Sequence, residues 1–70
     1  MKSKYVIVDK DILGGTPVFR KTRVPIKALF DYLEGNHPLD DFLEDFPSVS
    51  RSVVIGLLKE LNKFLGKKAA

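Results

Sequence analysis

The stretch GGTPVFRKTRVPI, residues 14–26, decides how this chain folds. It sets two glycines, two prolines and three basic residues immediately ahead of an amphipathic run. Gly14 and Gly15 supply a turn with positive φ at no steric cost, and the Thr16-Pro17 pair then holds the chain extended through Val18 and Phe19. Arg20, Lys21 and Thr22 read as a second reversal, with Arg23 and Val24 returning as a short strand. Pro25 fits the first position of a helix, where its missing N–H forfeits no intrahelical bond. The expected product is a small β-ribbon with a cationic tip, leading directly into a helix.

From Pro25 onward the periodicity changes. Ile26, Leu29, Phe30 and Leu33 recur at i, i+3, i+4 and i+7, the pattern of one buried helical face, and Gly35 suits a left-handed cap. Pro38 opens a second helix in which Leu39, Phe42, Leu43 and Phe46 repeat that spacing until Pro47 stops it. Asp40 and Asp41 fall in its first turn, where they favour the positive end of the helix dipole. His37, just ahead of it, reads as a substitute cap. Ser50 is a good N-cap for a third helix, and Val49 with Val54 occupies the positions of a hydrophobic staple. The third helix is expected to reach Leu65 and stop at Gly66. Its apolar face collects Val53, Val54, Leu57, Leu58, Leu61, Phe64 and Leu65, and Arg51, Ser52, Ile55, Gly56, Lys59, Asn62 and Lys63 take the opposite arc.

Upstream, residues 5–8 (YVIV) form a β-rich run that reads as a strand, pairing either with the ribbon or with another chain. Its exposed edge leads us to expect a homodimer. The fold class is therefore mostly α: a three-helix helix-turn-helix bundle, homeodomain-like or winged, with a short N-terminal β-strand and β-ribbon. One domain fills residues 1–70, with strand and ribbon over 4–24, helices over 25–65 and a frayed tail over 66–70.

Composition narrows the function. The chain has 70 residues, 44% hydrophobic and 30% charged, which is ordinary for one small globular domain near the lower size limit of a self-sufficient core. No apolar run approaches a membrane span and the N-terminus lacks a secretory signal, so a cytoplasmic location without membrane contact is expected. Cysteine is absent, which removes disulfides, thiolate chemistry and zinc-finger sites. The net charge is +3. Asp40, Asp41, Glu44 and Asp45 hold four of the nine acidic residues, so the rest of the chain is more cationic than the total implies.

The second and third helices, with a tight turn at residues 47–49, have the layout of a helix-turn-helix. In that geometry the third helix enters the major groove. Arg51, Ser52, Ile55 and Lys59, with Lys63 a turn further on, would face base edges or phosphates, and Ser48 and Ser50 would bond phosphate from the turn. Arg51 is the best candidate for reading guanine, because its planar fork donates two bonds to O6 and N7. Gly56 would permit close backbone approach. The competing reading makes the lysine-rich face plain solvated surface. The acid cluster argues for that reading, since carboxylates on the helix before a recognition helix are repelled by the duplex backbone.

Arg20, Lys21, Thr22 and Arg23 read either as a surface for phosphate or an acidic partner, or as a solvated hairpin tip. His37 lacks a second histidine or cysteine, and the acid pairs at i, i+4 normally lie in solvent, so no metal site is expected. A chain with no nucleophile, base or metal constellation is not expected to be an enzyme, to carry a cofactor or to bind a small-molecule substrate.

The 14–26 stretch resembles the GKPVIRGTRIPV signature of the family known as domain of unknown function 433. The likeness continues through Gly35, the acidic run at residues 40–45, Phe46-Pro47 and the helix from Ser50, and covers residues 4–65. One departure stands out: Lys21 occupies the place of the family's turn glycine. The resemblance implies a homeodomain-like or winged helix-turn-helix module that serves as the antitoxin of a type II toxin-antitoxin pair, neutralising a PIN-like ribonuclease toxin and binding operator DNA. The alternative is a small protein-interaction module without DNA binding.

Overall fold

The Thr16-Pro17 pair delivers an extended segment, but its main partner is the N-terminal strand and not the returning arm of the ribbon. A computed structural model describes residues 3–69, and the side chains of residues 3–67. Strand β1 (Val6–Ile7) pairs antiparallel with β2 (Val18–Phe19), in the register Val6 to Phe19 and Ile7 to Val18. The Arg20 N–H extends the ladder by donating to the Tyr5 carbonyl at 2.8 Å.

The intervening loop is built from local bonds. The Asp9 carboxylate accepts the Asp11 N–H at 2.9 Å, and the Asp9 carbonyl accepts that of Ile12 at 2.8 Å. Gly14 and Gly15 take φ of 65° and 91°, as expected, and Leu13 is drawn into the same left-handed turn at 49°. Thr16 secures that turn by donating its hydroxyl to the Leu13 carbonyl at 2.8 Å.

Arg23 and Val24 do not form the expected strand; the return arm meets β2 at a single bridge between Val18 and Pro25, flanked by bonds from the Phe19 N–H to the Val24 carbonyl at 2.9 Å and from the Ile26 N–H to the Pro17 carbonyl at 3.0 Å. The physical reason is a shortage of donors. Thr22 Oγ1 takes the Val24 N–H at 3.0 Å, and Pro17, opposite Ile26, has none, so neither flanking bond is returned and the ladder does not propagate.

Three helices follow: α1 (Ile26–Glu34), α2 (Leu39–Asp45) and α3 (Arg51–Ala69). Pro25 and Pro38 sit one residue earlier than the first helical position, as N-caps with ψ of 141° and 153°. Neither supplies a side-chain cap, and His37 is not the cap of α2.

The C-terminus of α1 corrects a second expectation. Gly35 keeps φ at −82°, and Asn36 takes the left-handed conformation at 67°. The Asn36 N–H bonds the Leu33 carbonyl at 3.2 Å and the His37 N–H reaches Tyr32 at 2.9 Å, which is a Schellman motif centred on asparagine. Ser50 does cap α3, its Oγ accepting the Val53 N–H at 3.3 Å. Gly66 does not stop this helix. A glycine costs an interior helical position about 1 kcal/mol but keeps its N–H, and α3 runs through it to Ala69. The expected frayed tail is thus helical to Ala69, while Ala70 lies outside the described residues.

Phe19, Leu29, Phe42, Val49, Val54 and Leu57 form the buried cluster. An aromatic group runs through it: Phe42 lies 6.1 Å from Phe19 and 5.0 Å from Phe46, and Tyr32 meets Phe42 edge-on at 5.5 Å. Tyr32 therefore packs on the core, whereas Leu33, assigned to the buried face of α1, is 40% exposed. Phe64 and Leu65 also lie largely outside the core, at 37% and 60% exposure. The cause is length: at 19 residues α3 spans about 28 Å and outruns the 9-residue α1. Among the described residues no helix is long and apolar enough to cross a membrane.

Candidate functional site

Gly56, in the middle of α3, organises the surface around it. The Tyr5 ring lies directly over it, so close that a Cβ at residue 56 would sit 2.4 Å from the Tyr5 Cζ. Glycine is therefore needed here to let the N-terminal segment cross the helix, and not to let DNA approach. The crossing segment is fastened at both margins. On the α3 side Glu60 accepts the Ser3 hydroxyl at 2.5 Å and the Lys4 N–H at 3.1 Å. On the hairpin side the Arg20 guanidinium donates to the Lys4 carbonyl at 3.1 Å and to the Ser3 carbonyl at 3.4 Å. The Ser3 hydroxyl oxygen also accepts the N–H groups of Tyr5 and Val6, at 3.0 and 3.2 Å.

Those bonds set the local electrostatics. The Ser3 hydroxyl, and then the Lys4 N–H, hold the Glu60 carboxyl below its ordinary pKa, so this carboxylate is charged and already engaged. Around it lies a shallow depression of about 310 Å³, lined by Lys4, Tyr5, Gly56, Lys59, Glu60 and Lys63. Three lysines from two segments far apart in sequence thus line one depression.

Of the expected DNA-facing residues, Arg51, Ser52, Ile55, Lys59 and Lys63 are exposed along one stripe of α3, and Ser48 and Ser50 are exposed in the turn before it. Their chemistry divides along the helix. Arg51 is ion-paired with Asp40 of α2, so its fork is not free to read a base unless that bond opens. Ser50 is occupied by its capping bond, with Ser52 Oγ 3.1 Å away. Lys59 and Lys63, two and three turns further on, share the depression with Lys4 instead.

At the hairpin tip Lys21 and Arg23 are exposed, but Thr22 is only half so. Its hydroxyl is spent on the turn, donating to Phe19 at 2.7 Å and accepting from Val24. Arg20 is exposed but braces the N-terminal segment. The expected partner surface therefore reduces to Lys21 and Arg23, with Arg20 joined to the α3 surface.

The acids gather elsewhere. Tyr32, His37, Asp41, Glu44 and Asp45 line a second depression. There the Tyr32 hydroxyl donates to Asp45 at 2.5 Å, which raises the phenol pKa, and His37 Nδ1 lies 3.7 Å from an Asp41 oxygen. Among the described residues no group of three or more His, Asp or Glu side chains is placed to hold a metal ion.

A family model described as protein of unknown function (DUF433) matches residues 6–59. The chain belongs to the DUF433 family. The matched span runs from β1 to Lys59, so it contains the hairpin, α1, α2 and the Gly56 crossing point of this DUF433 domain. A relative is the uncharacterized protein y4eO of Sinorhizobium fredii (strain NBRC 101917 / NGR234), 35% identical over 67 residues. That alignment takes in 93% of this chain but 30% of the relative, so the DUF433 chain spans under a third of the relative's length. No solved structure matches it.

Sequence reasoning missed Lys4, Tyr5 and Glu60. One signal was present: a glycine inside a strong helical pattern, which costs stability unless something needs the space.

Proposed function

We propose that this domain is a small DNA-binding module acting as the antitoxin of a toxin-antitoxin pair. The observation that carries the DNA-binding half is the exposed stripe of α3, entered from a tight turn after α2 and running from Arg51 through Lys59 to Lys63. Such a stripe has the position of a helix-turn-helix recognition surface and cations spaced to meet a phosphate backbone. The toxin-binding half rests on the family resemblance of the 14–26 stretch. Lys21 and Arg23 offer an exposed cationic tip whose charge suits a carboxylate-lined nuclease site.

A second reading, a protein-interaction module without DNA binding, is favoured by the ion pair between Arg51 and Asp40. It places a carboxylate beside the end of α3 that would otherwise read bases. Co-purification with the product of the adjacent gene, followed by a duplex shift assay, separates the two. The antitoxin reading expects a stable complex and a salt-sensitive shift. Lys21→Glu with Arg23→Glu then releases nuclease activity while the domain stays folded. A stable complex with no shift establishes the second reading, and absence of both discards the antitoxin assignment.

A further inference from the structure

We propose that the N-terminal segment and the second half of α3 together form a seat for the phosphate backbone of duplex DNA, with Lys4, Lys59 and Lys63 as its cations. This rests on the DNA-binding reading above and adds to it the N-terminal segment held across Gly56.

Three observations carry it. First, Lys4, Lys59 and Lys63 line one depression, yet the ion pairs among the described residues involve Lys27, His37 and Arg51 instead. The one carboxylate at the rim, Glu60, is engaged by the Ser3 hydroxyl and the Lys4 N–H. Three lysines beside a single carboxylate leave a net positive patch, and an anion relieves that imbalance. Second, the Lys4 backbone is fixed, bonded to Glu60 on one side and to Arg20 on the other. A cation carried on a held backbone loses less freedom on binding than one on a loose terminus. Third, the α2 carboxylate that is held against α3 sits away from the seat. Asp40 pairs with Arg51 at the start of α3, and Lys59 and Lys63 lie about 12 and 18 Å further along the axis. That exceeds the Debye length of about 8 Å at physiological ionic strength. The depression is shallow and open, which suits a rod with repeating charge and not an enclosed small anion. Lys59 and Lys63, one turn or about 6 Å apart, follow such a rod along the helix.

The test is a salt titration of binding, using the full chain and a labelled mixed-sequence DNA duplex two helical turns long, read by fluorescence anisotropy. Lys4→Gln, Lys59→Gln and Lys63→Gln are each expected to flatten the plot of log affinity against log salt by about 0.9, with thermal unfolding unchanged. Lys10→Gln, an exposed lysine of the β1–β2 loop, leaves the slope alone. Gly56→Ala changes no charge but drives the Tyr5 ring off α3, so it is expected to cost the slope as much as Lys4→Gln does. A duplex that binds with a slope indifferent to the three lysines, or sensitive to Arg51→Gln alone, overturns the seat and leaves DNA binding standing. Failure of the parent chain to bind the duplex at low salt overturns the seat and the DNA-binding reading together, as does preferential binding to an acidic polypeptide.

Discussion

Lys21 shows what a single residue contributes when it stands in conflict with its backbone. It sits at φ 65° in the hairpin tip, a conformation that a side chain bearing Cβ enters at a cost of about 1 kcal/mol. Lys21→Gly is therefore expected to raise the urea midpoint by the equivalent of up to about 1 kcal/mol, less the extra freedom glycine gains in the unfolded chain. Asn36, at φ 67°, makes the same point with the opposite outcome. Asparagine tolerates the left-handed region, so the Schellman turn forms one residue later than the glycine would place it. Both sites were legible as turns. At the end of α1, which residue took the positive φ was not, because that depends on whether the bonds from Asn36 and His37 back to Leu33 and Tyr32 close.

At the scale of elements, the caps were readable and the ends were not. Ser50 is the only N-cap of α1 to α3 with a side-chain bond, and Ser50→Ala is expected to cost about 1 kcal/mol by chemical denaturation. The N-terminal segment is a weaker element whose attachment depends on pH. The folded-state pKa of Glu60 lies below its ordinary 4.5, so the stabilisation from its bonds to Ser3 and Lys4 is complete above 4.5. It is lost as the pH falls through the lowered folded value. The protection factors of the amides at residues 4–6, corrected for the intrinsic pH dependence of exchange, are expected to fall on acidification below that window, and Glu60→Gln is expected to remove that change. The strand edge expected to drive dimerisation is blunted by the same segment, because the Val6 N–H is taken by Ser3 Oγ at 3.2 Å.

For the whole molecule the decisive quantity is the small buried cluster. Leu29→Ala, Phe42→Ala and Leu57→Ala each empty a position exposed by 1% or less, and each is expected to cost about 2 to 5 kcal/mol. A domain of 70 residues has little more than that in total, so circular dichroism is expected to show unfolding near room temperature. Leu65→Gln is expected to melt like the parent, because α3 carries that residue past the core. Equal losses at Leu65 and Leu57 would mean that the far end of α3 is covered in solution.

What the sequence determined by itself is everything that follows from local rules. The hairpin glycines, the number and order of the helices, the Ser50 cap and the central positions Leu29, Phe42 and Leu57 all follow from φ preferences and 3.6-residue periodicity, which need no distant partner. The tertiary structure alone decided which surfaces meet. Tyr5 lies across Gly56, Arg20 braces Lys4, Arg51 is held by Asp40, and Phe64 and Leu65 pass beyond the core. Each of these depends on where elements distant in sequence come to rest, and periodicity within one element carries no information about the neighbour that will cover it.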